Sequence, residues 1–182
     1  MRHRITMPLD GSMERSAIFY RTHLGHRGNA TELAIKLVRK GAEIELKSIV
    51  DPFLLELSKV AEPWAIDHLL QGCYIQQYHE WEKGVKAYLK EQRLENNLTD
   101  DFDWRNGNKS FIKRTIEALS FFEAQIDALA MSNIDKIREK INDIKHDPLS
   151  HRVDHQQYRA AVQAFQVFWD RMVTLETGIE QG

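Results

Sequence analysis

The chain has a single cysteine among its 182 residues. Because one thiol cannot form a disulfide within the chain, Cys73 gives no indication of an oxidising compartment, and we interpret it as a small core residue. No window comes close to the roughly 18 consecutive apolar residues that a membrane-spanning helix needs. The first residues also lack an apolar segment of signal-peptide length. We therefore expect a cytoplasmic protein without a membrane-bound part.

An excess of charge is also missing. Twenty-five lysines and arginines oppose 27 aspartates and glutamates, and the formal net charge is −2. Such a balance provides no general attraction to nucleic acid or to a membrane, so a nucleic-acid site would have to be a local patch. The chain lacks a glycine-rich phosphate loop and a Ser-His-Asp signature. We therefore expect no nucleotide cofactor, and no other cofactor or metal is indicated strongly.

What the sequence does contain is helical periodicity. A chain of this length fits one domain, and 42% apolar residues are enough to bury a core. The apolar residues recur every three to four positions through most of the chain, which predicts an all-α bundle of five or six helices. We divide it into an N-terminal extension, residues 1–60, with one or two helices packed on the core, and a helical bundle, residues 61–182.

In the N-terminal extension, the first clear helix is predicted to begin at Asn29. Asn29 and Glu32 have the spacing of a capping box, and Gly41 is a natural helix end. Gly25 and Gly28 interrupt regular structure in the preceding residues. We therefore expect a partly ordered arm there, with at most one short helix.

In the bundle, Pro63 suits the first turn of a long helix, where its missing N–H costs nothing. Ser132 and Asp135 have capping-box spacing and predict another helix start near residue 133. The four helices of the bundle are predicted at about residues 63–93, 109–130, 133–146 and 155–177.

The helix before the last one has two distinct faces. Four isoleucines share one side at helical spacing, namely Ile134, Ile137, Ile141 and Ile144. Arg138, Asn142 and His146 follow each other every fourth residue on a strip away from the isoleucines. Pro148 ends the helix. This pattern predicts packing through the isoleucines and a polar row turned toward a ligand or partner.

These features resemble the HEPN family of helical bundles. The resemblance covers roughly residues 60–177 and rests on the segment YHEWEKGVKAYL in a long helix, a second amphipathic helix, and an Asn-x-x-Lys-His turn before the last helix. Family members generally carry an Arg-Asn-x-x-x-His motif. Asn142 and His146 stand in its Asn and His places, whereas Ile141 stands where the family has Arg.

The resemblance implies a protein that cleaves RNA or only binds it. Active members of the family form a metal-independent ribonuclease site across a dimer interface, and many belong to toxin–antitoxin, phage-defence or RNA-processing systems. By that comparison His146 would transfer a proton, Arg138 or Lys145 would hold the phosphate, and Asn142 would orient the RNA backbone or His146. The implied partners are RNA, a second copy of the chain, and an antitoxin or other protein.

Two other interpretations remain open. The Arg138–His146 face fits a non-catalytic protein-interaction or dimerisation module, in which Asn142 and His146 only terminate a helix or stabilise a dimer. A cluster of histidines and aspartates fits a metal-binding bundle; its members are His146, Asp147, His151, Asp154 and His155. Arg21 and His26 also have an Arg-x4-His spacing, which we regard as coincidental because the family context is missing there.

Overall fold

A computed structural model describes residues 4–5, 13–48, 52–98, 110–120, 122, 126, 128–148 and 150–178. This part of the chain contains five α-helices and no strand, which confirms the all-α bundle. The helices are α1 (Ala17–Ser48), α2 (Pro52–Glu95), α3 (Phe111–Ser120), α4 (Ala128–His146) and α5 (His155–Thr177), and a 3₁₀ turn, Met13–Arg15, precedes α1. None of the helices in these residues is long and apolar enough to cross a membrane.

Helix α1 packs against both α2 and α5. It runs antiparallel to α5, since Glu176 near the end of α5 accepts a hydrogen bond from the Ala17 N–H at 3.0 Å. Fifteen residues further along α1, Glu32 accepts hydrogen bonds from Arg159 near the start of α5, at 2.9 and 3.1 Å. The second half of α1 therefore extends past the beginning of α5.

Aromatic rings fill the core between α2 and α5. Trp81 is fully buried, and its ring centroid lies 5.6 Å from that of Phe165 and 5.2 Å from that of Phe168. Trp169, also fully buried, stacks on Tyr20 of α1 at 4.9 Å. Large aromatic side chains bury the most apolar area per residue, so this cluster supplies a major part of the stabilising free energy.

The predicted start of the first helix at Asn29 is wrong. Helix α1 begins at Ala17 and continues through all three glycines that we expected to break or end it. A Cβ atom at Gly28 would lie 3.1 Å from Val162 Cγ1, so this glycine allows α1 to approach α5 closely. Packing of this kind outweighs the roughly 1 kcal/mol that a glycine costs in a helix. The proposed capping box is absent because Glu32 binds Arg159 instead.

The predicted helix start at Pro63 is also wrong. Helix α2 begins at Pro52, and Pro63 lies inside it. Proline removes one backbone hydrogen bond within a helix, which favours a break there. Contacts on both sides keep α2 continuous, since Ile66 is buried after the proline and Leu55 is half-buried before it. Residue 60, where we placed the end of an N-terminal extension, therefore lies inside α2.

The helix predicted at 109–130 is in fact α3 and the start of α4. Helix α3 ends at Ser120, whose hydroxyl donates to the Glu117 carbonyl at 2.6 Å and so competes with the helical pattern. The Phe122 N–H donates to the Leu119 carbonyl, and the Phe122 side chain turns into the core. A single stripe along 109–130 is therefore not formed, and Leu129 is 64% exposed.

The start predicted near residue 133 is likewise too late, because α4 begins at Ala128 and Asp135 binds Arg138 rather than a backbone N–H at the helix start. The predicted end of α4 and both ends of α5 are confirmed. Asp154 caps α5, accepting from the Gln157 N–H, and Gly178 closes it with a left-handed backbone. Both ends of α5 are therefore set by neighbouring residues.

Candidate functional site at the exposed edge of helix α4

Helix α4 is oriented by its isoleucines. All four lie on the face that packs against α5 and α2 and are between 0% and 7% exposed, as the spacing predicted. Burying four such side chains stabilises the helix position by several kcal/mol, at about 1.5–3 kcal/mol each. The polar side of α4 is therefore held toward solvent by the core.

Four polar side chains lie exposed in the last two turns of α4, namely Asp143 and the three candidates Asn142, Lys145 and His146. Residues three and four apart are neighbours on a helix surface, so Asn142 is adjacent to Lys145 and His146, and Asp143 is adjacent to His146. Lys145 and His146 stand in the last turn, where the helix dipole favours cations. We call the three candidates Asn142, Lys145 and His146 the α4 edge. It combines a cation, an amide and an imidazole on a surface that a large ligand can reach.

Arg138, the fourth candidate residue, is bound elsewhere. Its Nε donates to Asp135 Oδ1 at 2.7 Å, and its Nη2 lies 3.7 Å from a carboxylate oxygen of Glu139. The hydrogen bond to Asp135 raises the pKa of Arg138 above its ordinary value. Arg138 precedes His146 by eight residues, or about 12 Å along the helix axis. The candidate cation that shares the last turn of α4 with His146 is therefore Lys145, and Asn142 lies between the two on the helix surface.

Ile141 stands at the arginine place of the motif that the sequence resembles. Its side chain is 1% exposed and belongs to the buried face of α4. An arginine at this position would place a charge in the core, which is strongly unfavourable without a buried partner. The neighbouring Asn142 is exposed, so the motif's Asn and His places face solvent while its Arg place faces inward.

The segment after α4 is fixed to α2. Gln71 Nε2 donates to the backbone carbonyls of Pro148 and His151, at 3.2 and 3.3 Å. Arg152 pairs with Asp67, one turn earlier on α2, at 3.2 Å. These contacts hold the end of α4 in place. The sequence pattern did not identify Gln71 or Asp67, because they lie about 80 residues away and follow no motif.

The histidines and aspartates proposed as a metal cluster are not brought together. His155 Nε2 lies 2.7 Å from Glu32 Oε1. With Arg159, this contact lowers the pKa of Glu32 to about 2, the hydrogen bond from Arg159 having the largest effect. Within the described residues, no three histidine, cysteine, aspartate or glutamate side chains are placed to hold one metal ion.

Arg21 and His26, whose spacing we regarded as coincidental, line one cavity between α1 and α5. The cavity has a volume of about 230 Å³, and Thr22, Gln166 and Asp170 also contribute to its wall. Arg21 forms an ion pair with Asp170. The arginine is therefore used in joining α1 to α5, although His26 is exposed.

Comparison with protein-family models, with curated proteins and with solved structures gives no match. The resemblance to the HEPN family rests on the sequence pattern alone. A function must therefore be inferred from the chemistry of the α4 edge and from how the fold presents it.

Proposed function

We propose that this protein binds RNA at the α4 edge and cleaves it without a metal ion, as a HEPN-like ribonuclease. The observation that supports this proposal is the exposure of Asn142, Lys145 and His146 together, on a helix whose opposite face is buried. These groups suit a phosphodiester, since phosphate contacts by lysine supply affinity and imidazole exchanges protons near neutral pH.

The chemistry assigns one role to each residue. His146 takes the proton from a ribose 2′-hydroxyl, and the 2′-oxygen attacks the adjacent phosphorus. The bond to the 5′-oxygen breaks, water protonates that oxygen, and the products are a 2′,3′-cyclic phosphate and a 5′-hydroxyl. Lys145 neutralises the charge that grows on the phosphate oxygens. Asn142 donates a hydrogen bond to the RNA backbone and fixes its orientation.

The surface itself favours a polymer over a small molecule. Asn142, Lys145 and His146 project from the outside of a helix, whereas small-molecule sites are concave and bury most of their ligand. The resemblance adds a homodimer, an antitoxin or other protein partner, and a place in a toxin–antitoxin or phage-defence system. These belong to the proposal.

Labelled structured RNA incubated with the full chain in EDTA tests the proposal. We expect cleavage to fall by about 10²- to 10⁴-fold in His146→Ala, because the general base is lost. RNA binding, measured by fluorescence anisotropy, should persist in that variant. In Lys145→Ala we expect weaker binding, with the slope of log affinity against log salt reduced by about one.

Matched controls separate this site from others on the chain. Lys136 is exposed on the same helix but about 180° away from Lys145, so Lys136→Ala should leave binding unchanged. His26→Ala should leave cleavage unchanged. Loss of cleavage in His26→Ala with activity retained in His146→Ala would assign the reaction to the α1–α5 cavity. Neither binding nor cleavage by the wild-type chain would instead favour a protein-interaction module.

A further inference from the structure

An uninterrupted row of large apolar side chains is exposed along the first three turns of α2. Phe53 is 71% exposed, Leu57 53%, Val60 70% and Trp64 61%. The steps of four, three and four residues are the heptad spacing of a coiled-coil seam, which places all four side chains on one side of the helix. We call this row the α2 stripe. Leu54, 52% exposed, lies at its margin.

The α2 stripe lies on the part of α2 that extends beyond α5. Helix α2 has 44 residues and α5 has 23, about 66 Å against 35 Å of helix. The start of α5 lies beside the loop that Asp67 and Gln71 bind, so residues 52–64 reach past it. Leu55 and Ile66, the inward residues here, lie on the opposite side of the helix from the stripe.

We infer that the α2 stripe pairs with the same stripe of a second copy of this chain, the two α2 helices running antiparallel about a two-fold axis. This inference rests on the stripe alone and does not depend on RNA binding, and the contact is a different one from the dimer that the family resemblance implies, in which the site lies across the interface. A two-fold contact is isologous, so the patch must match its own reverse. The stripe does so, because its steps of four, three and four residues are the same in both directions along the helix.

The register follows from that symmetry. The axis passes between Leu57 and Val60, so Leu57 of each copy packs on Val60 of the other. Phe53 of each copy then packs on Trp64 of the other. Each layer combines one a and one d position, as in an antiparallel coiled coil. The stripe spans 11 residues, or about 16 Å, which sets the length of the seam.

The residues beside the seam do not bring like charges face to face. On one side of the seam Leu54 faces Ala61 of the second copy, which adds apolar contact. On the other side Glu56 faces Pro63 of the second copy rather than another acid. Glu56 is also paired with Lys59 of its own chain. Like-charge contacts, which would cost several kcal/mol at an interface, are therefore avoided.

A parallel arrangement is excluded by the body of the protein. At 100° per residue, Gln71 points in the same direction from the axis of α2 as Phe53, so it lies on the side of the stripe. Its side chain donates hydrogen bonds to the loop after α4. Two parallel helices in contact through this side would bring the two copies of that loop into collision. The antiparallel arrangement places the two bodies at opposite ends of the seam.

The exposed area is sufficient for a stable dimer. From typical side-chain areas and their exposed fractions, the stripe and Leu54 offer about 500 Å² of apolar surface per copy. Two copies would together bury about 1,000 Å² of apolar surface, which reaches the roughly 1,000 Å² that a specific interface needs. A contiguous row of this size is comparable to the largest apolar patch of a typical monomer, which is often functional.

Among the side chains of helix α1 that the structure describes, there is no equivalent row. Leu33, Leu37 and Ile44 are exposed there, but Lys40 occupies the position between the last two. Because a cation at a seam position costs stability, we assign the contact to α2. Leu33 consequently provides a matched control, being 58% exposed on the neighbouring helix.

Analytical ultracentrifugation of the full chain tests the inference. The wild type should sediment as a dimer of a 21.3 kDa chain at micromolar concentration. Leu57→Glu and Val60→Lys should each weaken the dimer by about 100-fold or more, because a charge enters the seam unpaired. Leu33→Lys should have no effect. Circular dichroism confirms that each variant remains helical.

Mixing the variants reports the direction of the helices. In the antiparallel register, positions 57 and 60 of the two copies face each other, so mixing Leu57→Glu with Val60→Lys brings opposite charges together. This mixture should restore a heterodimer at least about tenfold tighter than either variant alone. A mixture of Leu57→Glu with Leu57→Lys should not restore a heterodimer. A monomeric wild type, a dimer dissolved by Leu33→Lys, or restoration only by the second mixture would each overturn the inference.

Discussion

At the scale of single residues, Gly84 marks a close approach between helices. A Cβ atom at this position would lie 3.0 Å from Tyr20 Cδ1 and 3.2 Å from Trp169 Cζ2. Both neighbours are rings stacked on each other, so neither has room to yield. Gly72, on the same helix, is exposed and has no atom within 4 Å of its Cβ position.

We therefore expect opposite effects from the same substitution at these two glycines. Gly84→Ala should lower the free energy of unfolding by about 1–2 kcal/mol, since overpacking outweighs the gain in helix propensity. Gly72→Ala should raise it by about 0.5–1 kcal/mol. Urea denaturation of both variants measures the difference. Equal stabilisation by both would show that the contact with Tyr20 and Trp169 is not tight.

Individual residues also show where the sequence was informative about the site. Asn142 and His146 were correctly expected on a face away from the isoleucines, because helical periodicity alone determines that separation. The role of Arg138 could not be read in the same way. Its spacing from His146 fits a shared strip, but Asp135 is also within reach, and only the structure shows which contact is formed.

At the scale of elements, a carboxylate joins α1 to α5 at each of the two ends of α5. Glu32 binds Arg159 and His155 at one end, and Glu176 accepts from the Ala17 N–H at the other. Glu176 is 7% exposed, and this burial raises its pKa to about 7 against the opposing effect of its hydrogen bonds. The folded chain therefore holds a proton on Glu176 at pH values where the unfolded chain has lost it.

This difference predicts a pH dependence of stability. Between pH 4.5, the ordinary pKa of the carboxyl, and about pH 7, the folded state binds more protons, so the free energy of unfolding should fall as pH rises. Glu176→Gln removes the titration while keeping the shape. Relative to the wild type, the variant should gain up to about 3 kcal/mol between pH 5 and pH 8.

Urea denaturation at several pH values gives that comparison. Because every other titrating group is shared, the difference between variant and wild type isolates Glu176. A variant curve parallel to the wild-type curve would show that the buried carboxyl does not titrate in this range.

Helix boundaries show why elements were predicted unevenly. Helix α5 has caps at both ends, and its limits could be read from local residues. Helices α1 and α2 cross Gly28 and Pro63, which locally favour a break. The contacts that overcome this preference, such as Gly28 against Val162, join residues more than 100 positions apart. Local sequence patterns contain no information about such contacts.

At the scale of the whole molecule, the fold separates two surfaces. The α4 edge lies at the end of a helix held by the core and by Gln71, and the α2 stripe lies on the extended part of α2. The sequence indicated the first through helical periodicity and the family resemblance. It did not indicate the second, because Leu57 and Trp64 look like core residues until the lengths of α2 and α5 are known.

Binding of RNA at the α4 edge is the central claim, and NMR observes it most directly. A ¹⁵N-labelled full chain is titrated with a short single-stranded RNA in EDTA, and amide shift changes are followed residue by residue. We predict that the largest changes cluster at Asn142, Lys145 and His146 and weaken with added salt. Changes confined to the α1–α5 cavity around His26, or none at RNA concentrations up to about 1 mM, where even nonspecific binding would register, would contradict it.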